Sequence, residues 1–127
     1  MTLLIVAVLS IALQQPVNVV TYDAFMQQDN QGRIHTFNQM TPENRAEVVR
    51  THIQRWLDAN RSRLTTEQIT VMDENIAFVT PGVYALPKTA DTIARLKALE
   101  KKTKTLFTPE EMFQGLTIQG DYIPPKD

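Results

Sequence analysis

Four threonines, each standing before a proline or before Thr-Glu, constrain the architecture of this chain more than anything else in it. They are Thr41-Pro42-Glu43, Thr65-Thr66-Glu67, Thr80-Pro81 and Thr108-Pro109-Glu110. A threonine at the N-cap accepts a hydrogen bond from an otherwise unpaired first-turn N–H, and proline at the first helical position gives up no donor that the helix needs. A carboxylate in the first turn suits the positive end of the helix dipole. Thr65 with Gln68, and Thr108 with Glu111, also have the spacing of a capping box. These residues predict helix starts and carry no chemistry of their own.

Between those starts the apolar residues recur with a helical period. After Thr41 the stripe is Ala46, Val49, Ile53, Trp56 and Leu57, with Arg45, Glu47, Arg55, Asp58 and Arg61 mostly elsewhere around the helix. After Thr65 it is Ile69, Met72, Ile76 and Val79, thickened by Val71 and Phe78. From about Thr89 to Phe107 it is Ile93, Leu96, Leu99 and Leu106, set against Lys97, Glu100, Lys101 and Lys104. A shorter element around Tyr22, Phe25 and Met26 precedes a break at Asn30-Gln31-Gly32, and residues 33–40 form a further turn or two. The segment after Thr108 is brief and ends near Gly115. The four glycines sit at element ends, and the β-branched residues form no alternating runs. The expected fold is therefore all-α: an irregular bundle of five or six helices, three of them long, over residues 21–115.

Ahead of that domain, residues 3–13 contain no charge and a single hydroxyl, Ser10. Leu3, Leu4, Ile5, Val6, Val8, Leu9, Ile11 and Leu13 give the segment the apolar core of a secretory signal, and Ser10-Ile11-Ala12 a small-x-small cleavage site. The basic start of such a signal is missing. As a helix, eleven residues reach about 17 Å, and continuation to Val20 reaches about 30 Å, the thickness of a hydrocarbon layer at roughly 30 Å. That extension has to carry Gln14, Gln15, Pro16 and Asn18 at headgroup level or against another protein. Residues 1–20 are accordingly read as a signal peptide or a retained membrane anchor. Cysteine is absent, which excludes a lipid-modified N-terminal cysteine and disulfides alike. Residues 116–127 read as an extended tail, either disordered or laid along a partner. Gly120 and Pro124-Pro125 cannot continue a helix, and Ile118, Tyr122, Ile123, Pro124 and Pro125 offer a partner apolar anchors.

Composition argues against several kinds of chemistry. A net charge of −1 over 127 residues is a poor lure for nucleic acid, whose binding depends on clustered cations neutralising phosphates. The only imidazoles, His35 and His52, come without cysteine and without an H-x-x-x-H pair, a poor set for zinc. The serines are Ser10, inside the apolar run, and Ser62, between two arginines. There is no G-x-S-x-G elbow and no glycine-rich phosphate loop. The adjacent acids Asp73 and Glu74 point about 100° apart on a helix and form no convergent dyad. No catalytic residue, cofactor, metal or small-molecule substrate is expected. Two basic groups remain, Arg50, Arg55, Arg61 and Arg63 in one helix and Lys97, Lys101, Lys102 and Lys104 in another. Both suit helix C-termini, and both could meet anionic headgroups or an acidic protein surface. Trp56 belongs to an apolar stripe and is read as core.

The stretch 41–86 resembles the bacterial proteins described as bacteriocin fulvocin C-related. The resemblance rests on Thr41-Pro42-Glu43, Arg50-Thr51-His52, Leu64-Thr65-Thr66-Glu67-Gln68 and Val79-Thr80-Pro81. It covers about a third of the chain and implies an exported or membrane-associated helical domain. Those proteins typically end in a cysteine-rich segment, which this chain lacks, so an activity of that segment does not carry over.

The expectation that follows is a non-catalytic, extracytoplasmic helical protein of a bacterial membrane, on the periplasmic side in a Gram-negative cell. It would be an accessory subunit docking on a larger membrane protein assembly, such as a respiratory or photosynthetic one. The alternative is a secreted bacteriocin-related or immunity-type protein.

Overall fold

Threonine and aspartate side chains start most of the helices. In the computed structural model, which describes residues 19–85 and 87–118, the Asn44 N–H donates to Thr41 Oγ1 (3.1 Å). At Thr65 and Thr108 the full capping box forms. The Gln68 N–H donates to Thr65 Oγ1 (3.1 Å) while the Thr65 N–H donates to Gln68 Oε1 (2.9 Å). Thr108 and Glu111 repeat the exchange at 3.1 Å in both directions. Thr21, Asp29 and Thr89 cap three further helices through the N–H groups of Ala24, Gly32 and Thr92. Thr80 is different: it makes no side-chain cap, and the helix after it is one turn long.

Among the described residues the elements are α1 (Tyr22–Met26), α2 (Asn30–Gln39), α3 (Pro42–Asn60), a 3₁₀ turn (Arg61–Arg63), α4 (Thr66–Phe78), α5 (Pro81–Tyr84), α6 (Ala90–Lys104) and α7 (Pro109–Leu116). All are helical, as expected. Seven α-helices replace the expected five or six because the short α1, α2 and α5 are each separate. The expected break at residues 30–32 is instead the first turn of α2. Asp29 sits before it in extended backbone and accepts from the Gly32 N–H at 2.7 Å, so that glycine lies inside a helix rather than at its end.

The core is organised around α3, which packs against α1, α4, α5 and α7. It buries Ala46, Val48, Val49, Ile53 and Leu57 against Phe25 of α1, Val71 and Met72 of α4, and Met40, Val79, Phe107 and Ile118 from the connections. Each large apolar side chain removed from water contributes about 1.5–3 kcal/mol. Edge-to-face aromatic contacts join Phe25 to Phe37, Phe37 to Tyr84, and Trp56 to Phe107. Trp56 is half-buried in this packing, in keeping with its place on the stripe.

Two polar clips tie the shorter elements to α3. Asn44, 3% exposed, accepts from the Val20 N–H (2.8 Å) and donates to the Val20 carbonyl (2.9 Å). Arg45 caps the C-terminus of α2, donating to the carbonyls of Phe37 and Asn38 at 2.8 Å while its guanidinium lies over the Phe37 ring. The Phe37 carbonyl also accepts the Met40 N–H at 3.2 Å, and the cation adds a partner to both carbonyls at a helix end where backbone acceptors run short of intrahelical donors.

Two expectations change. Ile93 and Leu96 were assigned to the buried stripe of α6, yet they are 41% and 39% exposed. α6 rests on α4, with a smaller contact to α7, and meets them through Thr103, Leu99 and Leu106 near its C-terminal end, while its N-terminal half is largely exposed. Ile118, assigned to an extended tail as a partner anchor, is buried in this chain's own core, and α7 runs on to Leu116. Its burial withdraws it from a partner's reach. The other tail residues, Tyr122, Ile123, Pro124 and Pro125, and the whole apolar segment from Leu3 to Leu13 lie outside the described residues. No helix among the described residues is long and apolar enough to cross a membrane.

Candidate functional site

His52 sits on α3 and is half-buried. Its Nε2 is 2.7 Å from the Gln114 carbonyl of α7, and its Nδ1 is 2.6 Å from the hydroxyl of Tyr22 on α1. A carbonyl can only accept, so Nε2 carries the ring proton and Nδ1 accepts from the Tyr22 hydroxyl. Burial holds this imidazole below its ordinary pKa of 6.5. The Gln114 carbonyl pulls in the opposite direction, and Arg33 adds to the lowering. The ring therefore stays neutral and staples three helices. His35 lies exposed on α2. Neither imidazole hydrogen-bonds a carboxylate among the described residues, and no group of three metal-ligating side chains occurs among them.

Most of the arginines and lysines singled out in the sequence pair with acids, Glu74 among them. Arg55 meets Asp23 at 2.7 Å while lying over the Tyr22 ring. Arg61 meets Asp58, and Arg63 meets Glu111 at 3.1 Å while lying over Trp56. Lys102 bridges to Glu74, and Lys104 to Glu100, both at 2.8 Å. The Glu111 carboxyl titrates below its ordinary range, chiefly because it accepts the Thr108 N–H, with Arg63 contributing. Such exposed pairs contribute little stability singly; here they neutralise Arg55 of α3 and Arg61 and Arg63 of the 3₁₀ turn, while Arg50 has no acidic partner among the described residues. Lys97 and Lys101 have no acidic partner among the described residues, and Asp73 is exposed.

The feature best suited to receive something is an apolar cleft of about 230 Å³ where α3, α4, α5, α6 and α7 converge. Ile53 forms its floor from the buried face of α3, while Val83 and Tyr84 of α5, Leu96 of α6, and Met112 and Leu116 of α7 complete its walls. One-turn α5 leaves this space because it ends at Tyr84 and the chain reaches α6 only at Ala90. The Tyr84 hydroxyl is pushed up to about 12 by burial, against the pull of Arg45, and is thus a neutral donor. Beside the cleft, Ile93 and Leu96 stand exposed next to Lys97, one helical turn from Ile93.

Of the residues expected from sequence to carry function, Ile118 is core, and the rest of the tail and the apolar segment fall outside the described residues. The cleft was not foreseen. Its walls come from five helices, with lining residues spread from Val49 to Leu116, so no local pattern shows it. The one local signal was Ile93 and Leu96 beside Lys97 and Lys101, which the helical period assigned to the core. No protein family, curated protein or solved structure was found to match this chain.

Proposed function

We propose that this chain is a non-catalytic accessory subunit held on the extracytoplasmic side of a bacterial membrane, where it docks on a larger membrane protein assembly. The observation that carries this reading is the uncharged apolar run of residues 3–13, set ahead of a polar helical domain. Such a segment directs a chain to a membrane, either as an export signal or as an anchor. The domain supplies what docking needs, an apolar cleft beside two exposed apolar side chains on a cationic helix. His52 and the ion pairs Arg55–Asp23, Arg63–Glu111 and Lys102–Glu74 are engaged in holding elements together.

The test is intact mass on protein from its native host, taken separately from membrane and soluble fractions, with native electrophoresis of the membrane extract. Full-length mass in the membrane fraction, migrating with a larger complex, is the expected outcome. A soluble, partnerless monomer would overturn the reading. A soluble form matching cleavage after Ala12 would favour the secreted bacteriocin-related or immunity-type alternative, which the resemblance over residues 41–86 motivates.

A further inference from the structure

α6 holds Arg95, Lys97, Lys101, Lys102 and Lys104 against only Asp91 and Glu100, in a chain whose net charge is −1. This helix therefore carries a net charge of +3 while the remainder of the chain carries −4. Ile93, Lys97, Glu100, Lys101 and Lys104 are related by three- and four-residue steps, which places them along one face; Glu100, which also borders the cleft, is taken up by Lys104 at 2.8 Å, leaving Lys97 and Lys101 without an acidic partner among the described residues. Leu96 borders that face and is at the same time a wall of the apolar cleft, alongside Val83 and Tyr84. Apolar side chains are thus left open to water immediately beside unpaired ammonium groups. The same edge has a recess behind it.

We propose that this edge of α6, with the cleft behind Leu96, is the docking surface for one acidic amphipathic helix of another protein. The helix seats an apolar side chain in the cleft, lays others over Ile93 and Leu96, and sets its carboxylates against Lys97 and Lys101. Helix-in-groove recognition uses this combination of apolar anchors at helical spacing and complementary charge. One feature favours a protein helix over a lipid surface. The cleft is a recess of about 230 Å³ between helices, which a protruding side chain fills, whereas an interfacial helix lies with a broad apolar face sunk among the headgroups. The inference rests on the accessory-subunit reading and adds the chemistry of the partner segment.

The full chain is tested in its native host as wild type, as Lys97→Glu/Lys101→Glu, as Lys97→Arg/Lys101→Arg and as Ile93→Glu. All three positions are exposed, so circular dichroism and the unfolding midpoint should not change. Wild type and the arginine variant should migrate with the larger complex, and the two glutamate variants should show about tenfold less bound protein. If the glutamate variants remain bound, docking uses another surface; this inference falls and the accessory-subunit reading stands. If wild type itself is never found in a complex, that reading falls.

A second arm judges the surface by itself. Purified full chain is titrated with a labelled synthetic helix carrying leucine at i, i+3, i+4 and i+7 and glutamate elsewhere. Binding that weakens about tenfold in Lys97→Glu/Lys101→Glu and falls with added salt supports the surface. No binding, or equal binding by the glutamate variant, overturns it. Failure to bind this peptide, combined with lysine-dependent binding to phosphatidylserine vesicles, would assign the face to lipid and overturn the inference.

Discussion

Gly115 is a glycine because of Trp56. A Cβ at this position would lie 3.0 and 3.1 Å from the indole carbons Cδ2 and Cε3, and 3.3 Å from Met72 Cε. The indole has little room to retreat, since Phe107 lies against it edge-on and Arg63 covers it. Alanine would gain up to about 1 kcal/mol of helix propensity over glycine, and overpacking costs about 1–3 kcal/mol. Gly115→Ala is expected to lose about 1 kcal/mol in urea unfolding; a raised midpoint would mean the indole moves aside freely. His52 sets a pH dependence of the opposite type to a salt-bridged histidine. Its folded pKa is depressed, so between that value and 6.5 the unfolded chain binds more protons than the folded one. The stabilisation is complete above about pH 6.5 and is lost as pH falls through the folded pKa. Glu111, also depressed, loses its contribution in a lower window, beginning below its ordinary 4.5. Unfolding curves at pH 7.5, 6.5 and 5.5 should show a decline in wild type that is flatter in His52→Gln. Equal slopes in the two proteins would remove His52 as the source.

At the scale of the element, four threonine-led starts that look alike in sequence differ in structure. Thr41, Thr65 and Thr108 accept first-turn N–H groups, and the last two complete a capping box. Thr80 makes no such bond, although Pro81 follows it. Removing a working cap costs about 0.5–2 kcal/mol. Thr108→Ala should therefore lower stability by about 1 kcal/mol, since it removes the hydroxyl that accepts the Glu111 N–H and donates to Glu111 Oε1, both at 3.1 Å, while the backbone N–H of residue 108 still donates to that carboxylate. Thr80→Ala should be close to neutral by the same unfolding measurement. A loss at Thr80 as large as that at Thr108 would show that the hydroxyl matters through something other than capping. Thr21, Asp29 and Thr89 are working caps too. Asp29 escaped a reading that took the Gly32 that follows as a break, when that glycine provides the N–H that Asp29 accepts.

Across the whole molecule, α3 is the element that the others share. Leu57 is fully buried on it, while Ile93 on α6 is 41% exposed. Leu57→Ala should cost about 2–5 kcal/mol through lost burial and a cavity, and Ile93→Ala about 0.5 kcal/mol or less, read from urea midpoints at constant slope. Similar losses would place Ile93 in the core after all. Both residues were predicted to be buried by the same helical period, so periodicity alone did not separate them. The sequence by itself determined the all-helical class, the three long helices, most of their starting residues and the apolar character of residues 3–13, because capping, periodicity and uninterrupted hydrophobicity are local properties. Tertiary structure alone decided that α6 turns Ile93 and Leu96 outward, that Ile118 returns to the core, that Gly115 makes room for Trp56, and that five helices leave a cleft between them. Each of these depends on which helix faces come together, and that is set by the shapes of side chains distant in sequence, where no local period can register it.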